Sequence, residues 1–397
     1  MPTEQPADEA EAGRLIADAA RSGRRLRLQG GGTRPGPGRP VAAGAVLSSA
    51  ALTGLTLMEP AELVIGARAG TPLRLVEETL AGHGLMLPFE PMDHRLLFGT
   101  AGEPTIGAVA AANVSGPRRV SAGAARDHLI GVRFVNGRGE AIKSGGRVMK
   151  NVTGLDLVKL SAGALGTLGF LTEVTFKVLP RAEASRTLVW HGLGEDAALA
   201  LMTAALGSPY AVDAAAHLPG PVAGGRAKTC LRIEGFGFSL DHRAAELTRL
   251  FAARGTPDIA EGPETAALWC AIRDCRPFAA GGAHGGDAVW RLSLPAAKAV
   301  AALRALVPLS PVWFMDWGGS LVWLAVPEGA DVGAGAIHGA AAAAGGHATL
   351  VRASEAIRAR VPVFRPPDPA LMQITAGLKA CFDPAGVLNP GRMYPEA

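Results

Sequence analysis

At 397 residues the chain is long enough for two or three domains with a substantial buried core. Its 52 glycines and 29 prolines, against two tyrosines, suit a loop-rich α/β protein and equally a GC-rich coding sequence. The formal charge of +4 rests mostly on scattered arginines, densest over Arg21–Arg27, with few aromatics among them; this excludes the basic stripe of a nucleic-acid surface and suits an anionic ligand or an acidic partner.

The first predicted element is a helix over residues 9–23, with Ala10, Leu15, Ile16 and Ala19 as its apolar face. Leu26–Gln29 reads as a short strand that runs straight into Gly30, Gly31, Gly32, Thr33 and Arg34, and the prolines of 35–40 require a loop. Strands are expected at 45–47 and 62–67, a helix between Pro72 and His83, and a tightly packed helix over the small residues 107–114. Two further strands cover 128–135 and 169–178, the second alternating Phe170, Thr172, Val174, Phe176 and Val178. Short strands, glycine loops and few long helices describe an α+β domain better than a doubly wound one.

From Ser185 the rhythm changes. A strand at 187–191, a helix at 196–206, strands at 211–217 and 228–235 and a helix at 241–254 give the ferredoxin-like order. A second round follows, with a strand at 288–294, a helix at 296–306, strands at 312–316 and 320–326, a helix at 332–343 and a strand at 347–351. A last helix covers 369–382, and a tail follows it.

Cys230, Cys270, Cys275 and Cys381 form no CxxC and no iron–sulfur spacing, so free thiols in a reducing cytoplasm are expected. The acidic N-terminal residues do not resemble a signal peptide, and no run of about 18 apolar residues predicts a membrane span.

Three segments carry the chemistry. A strand ending in three glycines allows close backbone approach to a ligand, and its successive N–H groups make an anion nest, although such a segment also serves as a plain turn. Thr105, Ile106 and Gly107, leading to Asn113, Ser115 and Gly116, give a small-residue surface for a flat ligand or for close helix packing. Gly163, Gly166 and Gly169 precede the clear strand from Phe170.

In order, residues 29–34, 63–73, 83–91, 105–116, 126–140, 150–157 and 166–180 resemble the FAD domain of the vanillyl-alcohol-oxidase superfamily, and 383–393 are similar to its C-terminal flavin-contacting signature. The resemblance implies an α+β fold. It consists of a PCMH-type FAD-binding domain of two α/β subdomains over 1–182, a compact ferredoxin-like cap over 183–365, and a segment over 366–397 that returns to the flavin. It implies that Gly30, Gly31, Gly32 and Thr33 cradle the pyrophosphate, with Arg34 nearby as a charge partner. Pro88 and Glu90 are then expected near the adenosine or pyrophosphate. Thr105, Ile106 and Gly107 would pass along the ligand, with Asn113, Ser115 and Gly116 near the flavin. Gly166, Thr167, Gly169 and Leu171 would contact the adenine half, and Asn389 and Arg392 the isoalloxazine. Lys150 and Asn151 are expected to be structural or surface-binding. Covalent members carry a His or Cys at the pyrophosphate loop or in the substrate domain; the loop here has Thr33 and no His, so a dissociable FAD is expected.

Within the superfamily, residues 147–169 are similar to the 2-hydroxy-acid dehydrogenase branch. Catalytic members of that branch carry paired histidines; here the nine histidines are dispersed with no HxH. The compact second half instead resembles the family of glycolate oxidase FAD-binding subunits. That implies glycolate oxidation within an assembly, with a larger flavoprotein subunit and an iron–sulfur subunit as partners and a small 2-hydroxy acid as substrate. No catalytic residue and no metal is assigned. A self-sufficient D-lactate-type dehydrogenase and a non-catalytic scaffold are the other readings. Arg276, Arg291 and Arg352 are candidate carboxylate binders. His347 is expected to be a satisfied strand-start histidine, and Trp313, Trp317 and Trp323 to be core or interface residues.

Overall fold

In the computed structural model, which describes residues 1–146 and 155–395, the helix Glu9–Ser22 begins where Asp8 accepts the N–H of Glu11 at 2.7 Å. It ends at Gly23, whose φ of 66° suits glycine. Its buried face is Ala12, Gly13, Ile16 and Ala19; Ala10 is exposed and Leu15 only half-buried. The face is rotated from the predicted one because Gly13 packs on Gly139, where a Cβ would come 2.8 Å from a backbone oxygen. A count of apolar side chains does not register that contact.

This helix precedes a small parallel sheet in which Ala45–Ser48 lies between Thr3–Glu4 and Leu26–Gln29. A second, antiparallel sheet has the order Leu55–Glu59, Val64–Arg68, Phe170–Lys177, Leu129–Val135, Ala141–Gly145. Its two edge strands were not expected, because neither buries a residue and so neither shows an apolar alternation. The glycine-poor helix Leu73–Gly82 and the small-residue helix Ile106–Ala112 bury Val76, Leu80, Ile106 and Val109 against this half of the molecule.

Between Ala184 and Arg352 one eight-stranded sheet forms. Its order is Asp258–Glu261, Ala184–His191, Lys228–Gly235, Val212–Leu218, then Val312–Asp316, Leu321–Val326, Ala288–Ser293, His347–Arg352. In each half the chain order of the strands is 4-1-3-2 or its reverse, the ferredoxin-like arrangement used twice. The fourth strand of the first unit, Asp258–Glu261, was missed because only Ala260 in it is buried. The two units meet at a single paired position, His217 with Met315. Helices cover one face of the sheet over Trp190, Leu231, Trp290 and Leu324. The other face supplies Val189, Ala214, Phe314, Trp323 and Val351 to the same apolar cluster as Ile65, Phe89, Phe134 and Phe176, so the two halves of the molecule share one core.

A charge network crosses that shared core. The Glu90 carboxylate accepts two bonds from the Arg232 guanidinium, at 2.9 and 2.8 Å, and the Arg118 N–H at 2.8 Å. Arg118 in turn donates twice to Glu234, at 3.0 Å each. Burial alone would raise the Glu90 carboxyl, but Arg232 and Arg118 outweigh it and hold it at about 2.

The helix Pro369–Phe382 starts on Asp368, which accepts the Leu371 N–H. At its end Lys379 donates to Thr167 O, Leu388 O and the Asp383 carboxylate at 2.8, 2.6 and 2.6 Å. The fully buried Asp383 also accepts from Val387 and Leu388 N–H. This clamp turns the tail back onto the strand Leu26–Gln29, where Leu26 N–H meets Val387 O at 2.7 Å and Asn389 N–H meets Leu26 O at 3.0 Å. Lys150 and Asn151 lie outside the described residues.

Replacing Glu90 with Gln leaves Arg232, 4% exposed in its side chain, with only the longer 3.6 Å contact to Glu234, which Arg118 also engages. The expected loss is about 3 kcal/mol in urea unfolding at neutral pH. The Glu90 carboxyl lies at about 2 when folded against an ordinary 4.5, so its contribution is complete above 4.5 and fades as pH falls toward 2. The gap between wild type and variant should shrink over that window.

Candidate functional site

The strand Leu26–Gln29 delivers the chain to the glycine loop, and each glycine there has its own reason. A Cβ on Gly30 would lie 2.2 Å from the Thr105 hydroxyl, and one on Gly31 would lie 1.8 Å from Glu103 O, so both positions require closeness to the neighbouring segment. Gly32 has open space around it but a φ of 76°, so it is needed for conformation. Ser48 donates to Gly30 O at 3.0 Å and Thr100 to Thr33 O at 3.2 Å, which pins the carbonyls outward. The N–H groups of Gly31, Gly32 and Thr33 donate to no described residue.

These residues wall a cavity of about 240 Å³ together with Arg27, Gln29, Arg34, Pro35, Ser49, Ala69, Gly107, Ala108, Ala111, Gly166, Gly169, Leu171, Asn389 and Arg392. Its lining contains three arginines and no Asp, Glu, His or Cys. Each arginine has one buried nitrogen with no partner among the described residues: Nε of Arg27, Nη1 of Arg34 and Nε of Arg392. Burial lowers Arg34 to about 10, only partly offset by Asp93. Burial, then Arg358 and Arg27, bring Arg392 to about 10 as well. Arg34 and Arg392 remain cations at neutral pH, and all three side chains leave a donor unpartnered in a space that small residues keep open.

The arginines are aimed by what surrounds them. Arg34 Nε donates to His94 Nδ1 at 3.0 Å; because Arg has only donors, His94 must accept there and is neutral, its pKa pushed to about 3 by burial and by Arg34. Arg392 sits in the tail beside Asn389, whose amide bridges Leu28 N–H at 2.8 Å and Leu165 O at 2.7 Å. The proline loop is strapped over the cavity by Arg358, which donates to Gly36 O and Gly38 O at 2.9 Å.

Eleven of the sequence-predicted positions line this cavity: Gly30, Gly31, Gly32, Thr33, Arg34, Gly107, Gly166, Gly169, Leu171, Asn389 and Arg392. Eight do not. Thr105 backs Gly30 with an unpartnered hydroxyl. Pro88 and Ile106 are buried. Glu90 belongs to the charge network between the halves, and Thr167 bonds Ala164 O and receives Lys379. Asn113 and Ser115 accept the Arg126 and Ala125 N–H groups, and Gly116 O receives the Trp317 indole at 2.9 Å. Sequence reasoning missed Arg27, Gln29, Ser49, Ala69 and Ala108. Arg27 and Gln29 share one face of the strand leading into the loop, a period-2 signal that was available; Ser49 and Ala69 arrive by tertiary packing alone.

The three candidate carboxylate binders separate cleanly. Arg352 is consumed by the carbonyls of Leu97, Phe278 and Asp287, and Arg276 is exposed. Arg291 lies on the inner face of the cap sheet at Trp317, with no hydrogen bond or ion pair to its guanidinium among the described residues. Burial, then Arg119, lower it to about 10. His347 is exposed at its strand start, not hydrogen-bonded as expected.

Residues 3–145 match the family model described as FAD binding domain. The chain is 34% identical to the glycolate oxidase subunit GlcE of Escherichia coli (strain K12), over 94% of this chain and 93% of that one. It is 28% identical to a D-lactate dehydrogenase of Archaeoglobus fulgidus, over 45% of this chain and 38% of that one. A solved structure of alkyldihydroxyacetonephosphate synthase covers 98% of the chain, and 76% of its own, with a TM-score of 0.67 at 13% identity, which shows the shared PCMH-type α+β fold. With so long a match above 30% identity, the chain belongs to the family of the glycolate oxidase subunit GlcE, among the FAD-linked oxidoreductases.

Proposed function

We propose that the chain is the flavin-holding subunit of an assembly that oxidises glycolate, or a close 2-hydroxy acid, to the 2-oxo acid. The observation that carries this reading is the acid-free cavity in which Arg27, Arg34 and Arg392 each keep an unpartnered buried nitrogen beside three free loop N–H groups. A diphosphate satisfies both sets at once, and the small residues Ala108, Ala111 and Gly107 leave room for a flat ring system.

The residues therefore fit FAD, the cofactor of this family. Gly31, Gly32 and Thr33 would hold its pyrophosphate by backbone N–H, Arg34 would add charge, and Asn389 and Arg392 would close the cavity from the tail. When bound, FAD supplies the two-electron acceptor. The protein orients it, neutralises its phosphates and keeps water from it with the strapped proline loop. The absence of His and Cys from the described lining supports non-covalent attachment.

The relative in Escherichia coli is named as a subunit, which supports a multi-subunit assembly; a larger flavoprotein subunit and an iron–sulfur subunit are the proposed partners. No described helix is long and apolar enough to cross a membrane, and a cytoplasmic place, with any membrane contact made through the partners, is part of the same proposal. So is the division of the chain into 1–182, 183–365 and 366–397, supported by the separate sheets on either side of Ala184.

The visible spectrum of the full chain, purified alone, is the direct test. A flavin band that anaerobic glycolate leaves unbleached, and bleaches once the partners are added, is the expected result. Bleaching by the chain alone would make it a self-sufficient dehydrogenase, and no band even after adding FAD would overturn the flavin reading. Acid precipitation should leave the flavin in the supernatant; flavin in the pellet would contradict non-covalent attachment. In fluorescence titrations of the apoprotein, Arg34→Gln and Arg392→Gln should each weaken FAD binding about ten- to a hundredfold. The exposed Arg276→Gln should leave it unchanged.

A further inference from the structure

The inner face of the cap sheet is apolar apart from a few charged positions, and these are treated differently. Arg232 is neutralised by Glu90 and Glu234, whereas Arg291 is not neutralised by any described residue. In the ladder Arg291 is opposite Trp323 on one side and Thr349 on the other. His347 pairs with Ser293 and so stands diagonal to Arg291 on the same face, roughly 7–8 Å away. That end of the face is open: His347 is exposed, and Arg291, Ser293 and Thr349 are only half-buried.

The other half of the molecule contributes a second free cation at the same place. The Arg119 guanidinium carbon lies 4.4 Å and that of Arg291 5.0 Å from the ring centroid of Trp317. Arg119 also has no hydrogen bond or ion pair from its guanidinium among the described residues. Asp316, the neighbouring buried acid, caps the Trp317 N–H at 2.7 Å and pairs with neither arginine. Trp317 itself sits at a φ of 51°, a backbone conformation that persists only where the surroundings over-determine it. The reward of that conformation is the indole N–H on Gly116 O, which places the ring across the junction of the two halves. Two like charges thus stand against one indole, and among the described residues no carboxylate comes within ion-pair distance of either, Asp127 and Asp316 acting only from farther off.

We propose that Arg119 and Arg291, held at Trp317, form a binding site for the carboxylate of a small organic acid, closed between the two halves of the molecule. Two planar guanidinium forks match one carboxylate, and its arrival relieves their mutual repulsion. The indole offers an apolar surface to the carbon end of the acid, and His347 lines the entrance. The proposal rests on the reading above only in taking that acid to be a 2-hydroxy acid; the anion site itself needs no flavin.

The full chain, with and without FAD, is titrated with glycolate, oxalate and the neutral glycolamide, followed by tryptophan fluorescence and calorimetry. Glycolate and oxalate should bind saturably and glycolamide should not. Arg291→Gln and Arg119→Gln should each weaken oxalate binding about ten- to a hundredfold, and Arg291→Lys less. FAD affinity in these variants should stay within about twofold of wild type, which also reports that they fold. Variants that hold FAD normally and bind oxalate undiminished overturn the proposal. So does wild-type protein that binds glycolate no better than glycolamide, a comparison that needs no variant. Loss of FAD binding by wild type would overturn the flavin reading while leaving the carboxylate result standing.

Discussion

Leaving a buried donor nitrogen without a partner is costly, and three half-buried arginines do so around one cavity. Arg27 comes from a strand, Arg34 from a loop and Arg392 from the tail, so no local preference gathers them. Glycines and alanines make the space, Ser48 and Thr100 turn loop carbonyls away from it, and His94 is kept neutral so that it receives Arg34 rather than repelling it. In the network between the halves and at the foot of the tail, buried charges are paired. Glu90, Arg232, Arg118 and Glu234 balance one another between the halves, and Lys379 balances Asp383 at the foot of the tail. Paired charges hold the architecture together, and unpaired ones mark where something else must bind.

Much of this was legible in the residues. The strand Phe170–Lys177 announced itself by alternation, the glycine loop by its position after a strand, and the doubled ferredoxin-like order by the rhythm of strands and helices. What failed to show is physically coherent. The edge strands Leu55–Glu59, Ala141–Gly145 and Asp258–Glu261 bury almost nothing, so they carry no hydrophobic period. Glu90 sits near the glycine-rich segments in sequence, but its carboxylate finds Arg232, 142 residues away. Arg276, Arg291 and Arg352 are alike as letters; only the fold decides that one is exposed, one braces carbonyls and one is left uncompensated.

The glycines make the same point at finer grain. Gly30, Gly31 and Gly32 read as one flexible run, yet two are small because Thr105 and Glu103 press on them, and only the third is there for its dihedral angle. The run is therefore close-packed on one side and open on the other. A loop that merely turned the chain would not need both.

The tail has a consequence for how the molecule is made. Leu28 and Asn389 are bonded across 361 residues, and Arg392 lies just beyond. A ribosome adding about 5–20 residues per second needs roughly 20–70 s to pass from one to the other. For all of that time the nascent strand and its glycine loop lack a wall, and Arg27 and Arg34 face solvent instead of a closed cavity. The cavity is thus closed only after every other segment that lines it has been made.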